Sequence, residues 1–177
     1  MNAEDVVDFW RTAGPQKWFR KDAHFDAEFR DRFIDAHEAA WRGQLKKWEE
    51  HPQGALALLI LLDQFPRNAF RGSPRMFATD EQALAIARKA IDRGLDQETI
   101  EPLRAFFYLP FMHSECLADQ EASVRMNAEL GEDSQKFAVL HRDIIARFGR
   151  FPHRNILLGR KTTAEEQAFL DEGGFSG

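Results

Sequence analysis

Apolar residues recur along this chain at three- and four-residue intervals, interrupted by proline and glycine, and nowhere alternate over a strand-like length. That periodicity predicts helices throughout. Val6, Val7, Phe9 and Trp10 mark a first helix over 3–12; Gly14-Pro15 breaks it, and Pro15 opens a further turn to Trp18-Phe19. Asp22 is placed to cap a long helix with an inner stripe of Phe25, Phe29, Phe33, Ile34, His37, Ala40 and Trp41. Asp26, Glu28, Arg30, Asp31, Arg32 and Asp35 fall mainly off the stripe and read as a solvated face. Gly43 weakens the helix, a shorter piece follows to Glu50, and His51-Pro52 restarts the chain.

Residues 53–64 are apolar on nearly every side, which predicts the central helix of a bundle. Phe65-Pro66 is expected to stop it, because proline has no N–H and its ring clashes with the preceding turn. Thr79 with Gln82 reads as a capping box for a helix over 80–93, ended by Gly94. Asp96 is the expected cap of a helix carrying Leu103, Phe106, Phe107 and Leu109 to Pro110. Phe111 to Leu130 should continue as helix to the Gly131 stop. Ser134 should start a helix over 135–149 with Phe137, Leu140, Ile144, Ile145 and Phe148 inward. Thr162 and Thr163, with Glu165 and Glu166 three residues on, cap a last helix to about Asp171, and residues 173–177 read as a frayed tail. The fold class is all-α: about eight helices packed as antiparallel hairpins in one domain, 1–177.

Composition adds exclusions. The longest apolar run, Ala55 to Leu62, is too short to span a bilayer, and the acidic start Met1-Asn2-Ala3-Glu4-Asp5 has no signal-peptide pattern. Cys116 is the one cysteine, so no internal disulfide and no thiolate-rich metal site forms. A cytoplasmic protein is expected, without membrane association. The net charge of −5 argues against general nucleic-acid binding. Residues 141–161, however, carry five arginines and Lys161 against Asp143 alone, a net of +5, which leaves −10 for the remainder. A basic patch on an acidic protein suits a small anion or an acidic partner.

Two stretches concentrate the candidate chemistry. Asp63-Gln-Phe-Pro-Arg67-Asn68-Ala-Phe-Arg71-Gly72 has an echo in Phe148-Gly-Arg150-Phe-Pro-His153-Arg154-Asn155. Each runs from an apolar helix through Phe-Pro to Arg and Asn. As structure these are helix corners whose arginines meet orphan carbonyls. As a site, Arg67, Arg71, Arg150 and Arg154 would hold a carboxylate or phosphate bidentately, with Asn68 and Asn155 orienting it. His113, His141 and His153 are the proton-transfer candidates, and Asp63 and Glu115 their carboxylate partners. His37 and His141 lie on apolar faces and read as hydrogen-bonded core histidines. His113 and Cys116 are three apart, but Cys116 reads as structural. No Walker loop, dinucleotide fingerprint, metal-ligand spacing or nucleophile elbow is present, so no cofactor, no metal and no catalytic residue is assigned.

Asp63-Gln-Phe-Pro-Arg-Asn68, Phe107-Tyr-Leu-Pro-Phe-Met-His-Ser-Glu115, Ala118-Asp-Gln120 and the run from His141 to Asn155 together resemble the bacterial domain of unknown function 924 family, over essentially the whole chain. The resemblance implies an all-helical fold similar to a tetratricopeptide-like array of helical hairpins, and no activity. Two functional readings follow: a site for a small anionic ligand, carboxylate or phosphate, built by segments 63–71 and 141–155; or a non-catalytic module that holds a peptide or partner helix.

Overall fold

The computed structural model describes residues 1–175, and among them every regular element is helical. The chain divides into two compact units, one of residues 1–71 with 75–110, the other of residues 72–74 with those from 111 onward.

The first unit is built on α4 (Pro52–Leu59), which runs through a π turn (Ile60–Gln64) into α5 (Phe65–Ala69). Every residue from Gly54 to Pro66 is buried. Around this rod pack α1 (Ala3–Ala13), α3 (Ala23–Trp41) and α6 (Asp80–Asp92). The short α2 (Pro15–Trp18) stacks Trp18 on Trp10, and Phe25, Phe29 and Phe106 fill in around them with ring centroids 5.0–6.2 Å apart. Local signals hold here: the Asp22 side chain accepts from the N–H groups of His24 and Phe25, and Pro15 and Pro52 open their helices.

Gly54 is set by packing rather than by conformation. A Cβ there would overlap the backbone carbonyl of Trp48, in the 3-10 turn Lys46–Glu50. Gly→Ala inside a helix ordinarily stabilises by about 0.5–1 kcal/mol. Gly54→Ala is expected instead to destabilise by about 1–3 kcal/mol in urea unfolding, because overpacking forces backbone apart.

Three helix ends differ from the sequence reading. Pro66 does not stop the central helix, which passes through it by the π turn. Thr79 makes no cap; its hydroxyl turns inward to the Leu62 carbonyl, and Gln82 donates to the Ala40 carbonyl at 3.0 Å. Asp96 caps nothing either: it accepts the Tyr108 hydroxyl at 2.8 Å, and α7 (Ala105–Met112) begins later and carries Pro110 inside it.

In the second unit, α8 (Leu117–Ala128) and α9 (Glu132–Phe148) form a helical hairpin over a short loop. Residues 113–116 interrupt the helix expected from Phe111 onward. Gly149, at φ 69°, is the left-handed residue that ends α9. Thr163 and Glu166 form the expected capping box of α10 (Ala164–Asp171). Ile144, Ile145 and Phe151 make the core, with Phe148, Phe169 and Phe175 against it. Phe175 thus packs rather than fraying; Ser176 and Gly177 lie outside the described residues. Among those described, no helix is long and apolar enough to cross a membrane.

Candidate functional site

The first corner is a helix carried past a proline by side chains. With no N–H on Pro66, the Phe65 N–H steps back five residues to the Ile60 carbonyl. Side chains then serve the carbonyls at the break. His37 Nδ1 donates to Leu61 O at 2.8 Å, the Thr79 hydroxyl to Leu62 O, and Arg67 Nη1 to Asp63 O at 2.8 Å. A carbonyl only accepts, so His37 carries its proton on Nδ1. Burial pushes the His37 pKa below its ordinary value and keeps the ring neutral.

Carboxylates answer the arginines of this corner. Arg67 holds Asp80 through two bonds of 2.8 and 2.9 Å and lies 3.3 Å from the buried Asp63 carboxylate. Burial alone would lower the Arg67 pKa, but Asp63 and Asp80 outweigh it and the net shift is upward. Arg71 holds Asp26 at 2.9 and 3.2 Å, and Asn68 donates to the same carboxylate at 2.7 Å. Asp26 is therefore no part of a freely solvated face: it is a partly buried, paired acceptor on α3, with 14% of its side chain exposed.

The second corner lies in the second unit. Glu166 accepts from Arg150 at 2.6 and 2.9 Å, from Asn155 at 3.2 Å and from the Thr163 N–H at 2.8 Å. Chiefly the Arg150 bonds hold its pKa at about 2, against the ordinary 4.5. The unfolded state therefore takes up this proton first as pH falls, so the stability it contributes is complete above pH 4.5 and is lost on the way down to about 2. Glu166→Gln is expected to flatten the fall of melting temperature in that window while leaving its slope at pH 6–8 unchanged.

Asn155, fully buried, also accepts from Arg160 Nε at 2.9 Å. Arg160 in turn holds Glu115 at 2.7 and 3.0 Å, and Glu115 accepts the Phe151 N–H at 2.8 Å. Burial raises the Glu115 pKa, but the Arg160 and Phe151 donors prevail and the net shift is downward. Arg154 is 7% exposed, donates to the His113 carbonyl at 2.9 Å and lies 4.5 Å over the Phe151 ring. His141 donates from Nδ1 to the Phe137 carbonyl at 2.7 Å. Its ring and that of His153 flank Phe175 at 4.6 and 5.3 Å, and both also neighbour Phe151.

The structure thus assembles Glu115, Arg150, Asn155 and, through backbone and rings, His113, His141, His153 and Arg154 in one unit. Asp63, Arg67, Asn68 and Arg71 assemble in the other. These networks close on opposite charges that are not among the candidate residues singled out by sequence: Asp26, Asp80, Arg160 and Glu166. Cys116 is exposed at the N-cap of α8, not buried. A hollow of about 250 Å³ opens in the first unit among Ala40, Leu45, Leu58, Ile86 and Lys89, and none of the candidate residues lines it.

The second unit also leaves an apolar face uncovered. Phe137 and Leu140 on α9 are 60% and 43% exposed, against the inward placement expected of them. Ile144, seven residues after Phe137 and four after Leu140, lies on the same stripe of α9 and is buried, so the stripe is covered toward its C-terminal end and open toward its N-terminal end. Apolar spacing is the same along the whole stripe, which is why it did not show where the cover ends.

Comparison with known proteins agrees with this fold. Residues 6–174 match a family described as bacterial protein of unknown function (DUF924). A solved structure, a protein of unknown function, ATU0120, from Agrobacterium tumefaciens, is similar at TM-score 0.95 with 56% identity over 97% of each chain. No curated protein matches.

Proposed function

Because the chain belongs to the bacterial DUF924 family, for which the matches carry no activity, we propose from its own surface that it is a non-catalytic helical interaction module that docks a partner on the outer face of α9. The observation behind this reading is the exposed pair Phe137 and Leu140, one turn apart on a seventeen-residue helix. Anchors at i and i+3 on one face are how a helix seats in an apolar groove. The charged side chains of each corner, by contrast, pair within their own unit, which suits a scaffold better than a reaction centre.

The test is a photo-crosslinking residue at Phe137 in cells that make the protein natively, with one at Asp171 as control. Adducts at 137, absent at 171 and abolished by Leu140→Asp, are expected. No specific adduct at 137 overturns the reading.

A second reading, a carboxylate or phosphate held in the second unit, is favoured by Arg154, a near-buried guanidinium poised over Phe151 beside His113 and His153. It requires millimolar phosphate, sulfate or a small dicarboxylate to raise the melting temperature, and Arg154→Ala to abolish the rise.

A further inference from the structure

We propose that the partner on α9 is a second copy of this chain, paired antiparallel about Leu140; this rests on the docking reading above and names its occupant. The order of charge along the exposed strip points to this occupant. From one end it reads Asp133, Lys136, then Phe137 and Leu140, then Asp143, Arg147. The side chains of Asp133, Lys136, Asp143 and Arg147 are 95%, 71%, 61% and 52% exposed. At 3.6 residues per turn, positions 133, 136, 140, 143 and 147 fall along one line on the helix.

Reversed, that strip is its own complement. A twofold axis through Leu140 sets Leu140 against its mate and Asp133 against Arg147 of the second copy. It brings Lys136 beside the mate's Asp143 and returns both pairs by symmetry. Phe137 of each copy covers the apolar centre from the side. The parallel arrangement places every charge against its like, so the pattern selects orientation as well as partner.

The pairs these charges make within the chain do not oppose the association strongly. Lys136 lies 3.6 Å from Asp133 and 3.7 Å from Glu132, Arg142 donates to Asp143 at 2.6 Å, and Arg147 reaches Glu165 at 3.1 Å. Exposed pairs of this kind exchange partners at little cost. The strip is about 21 Å long. One helix face is small beside the roughly 1,000 Å² of a stable interface, so the dimer is weak and concentration-dependent.

Sedimentation of the full chain across a concentration series, at low and high salt, tests this. A monomer–dimer equilibrium is expected, weakened by salt and abolished by Leu140→Asp. Asp133→Arg and Arg147→Glu should each weaken dimerisation at least about tenfold. The double variant should restore it to within about threefold, because both changes reverse the same pair. That recovery cannot come from a misfolded chain, and circular dichroism of each single variant checks its helix content. A protein monomeric to about millimolar concentration overturns the proposal, as does a dimer indifferent to Leu140→Asp or not rescued by the double swap. A monomeric protein that still gives adducts at 137 with another protein loses this inference and keeps the docking reading. Absence of any adduct removes both.

Discussion

Arg67→Ala is expected to cost about 3–5 kcal/mol in urea unfolding, the range for removing one partner of a buried ion pair. The side chains of Arg67, Asp63 and Asp80 are 16%, 2% and 18% exposed. Without the guanidinium, Asp63 loses a cationic partner in the buried centre of the first unit, where the Gln64 amide also donates to it. Its backbone carbonyl loses the Arg67 side-chain donor as well. Much of the cost is the buried carboxylate's loss of its cation. Adding Asp63→Asn to Arg67→Ala is therefore expected to recover part of it, a coupling that a double-mutant cycle reads directly. A cost below about 1 kcal/mol with no coupling would make this an ordinary surface pair.

Why the arginine is needed was only partly legible in the sequence. Features carried within four residues were read well: the Pro15 and Pro52 starts, the Asp22 cap and the Thr163–Glu166 capping box. The buried central helix was also legible, because Ala55 to Leu62 offers no polar face to water. Pro66 was misread because its missing N–H is a local fact, whereas its remedy is not. His37 and Thr79 lie 24 and 17 residues from the carbonyls they serve. Pro110 repeats the lesson inside α7.

The candidate residues fared in the same way. Asp63, Arg67, Asn68 and Arg71 stood out as polar groups on an apolar background; the structure buries Asp63 and Asn68 and partly buries Arg67, as that contrast implies, but leaves Arg71 exposed. Spacing alone did not show which carboxylate each one meets. Arg71 and Asp26 are 45 residues apart, as are Arg160 and Glu115. Such pairs are set by which helices pack together, so an arginine-rich corner reads equally as an anion site or as one half of an ion pair. On α9 the ambiguity is geometric. Phe137 and Leu140 share a helical stripe with the buried Ile144, and only packing decides which part of that stripe is covered.

Phe65→Ala is expected to have a comparably large effect and a distinctive pH signature. Phe65 is fully buried; its ring stacks on His37 at 4.8 Å and meets Phe29 edge-on at 5.1 Å and Phe70 at 5.8 Å. Truncating a buried phenylalanine costs about 3–5 kcal/mol, transfer and cavity together. The pH dependence follows from the ring's neighbour. In the folded protein His37 resists protonation because it is buried, while the Nδ1 bond to Leu61 and the Glu38 charge push the other way and Arg75 assists. The unfolded chain takes the proton near the ordinary 6.5, so it binds more protons than the folded state below that pH. Stability from this group is complete above about pH 6.5 and falls as pH is lowered toward the folded-state value, by at most about 1.4 kcal/mol per pH unit. Removing Phe65 opens space beside the imidazole and admits water, which lets the ring charge at a more ordinary pH. The variant should therefore be less stable at every pH but lose less further stability between pH 6.5 and 5 than the parent. Nuclear magnetic resonance titration of the His37 ring should show its pKa moving up. An unchanged His37 pKa in a folded Phe65→Ala protein would show that the aromatic lid does not keep this ring neutral.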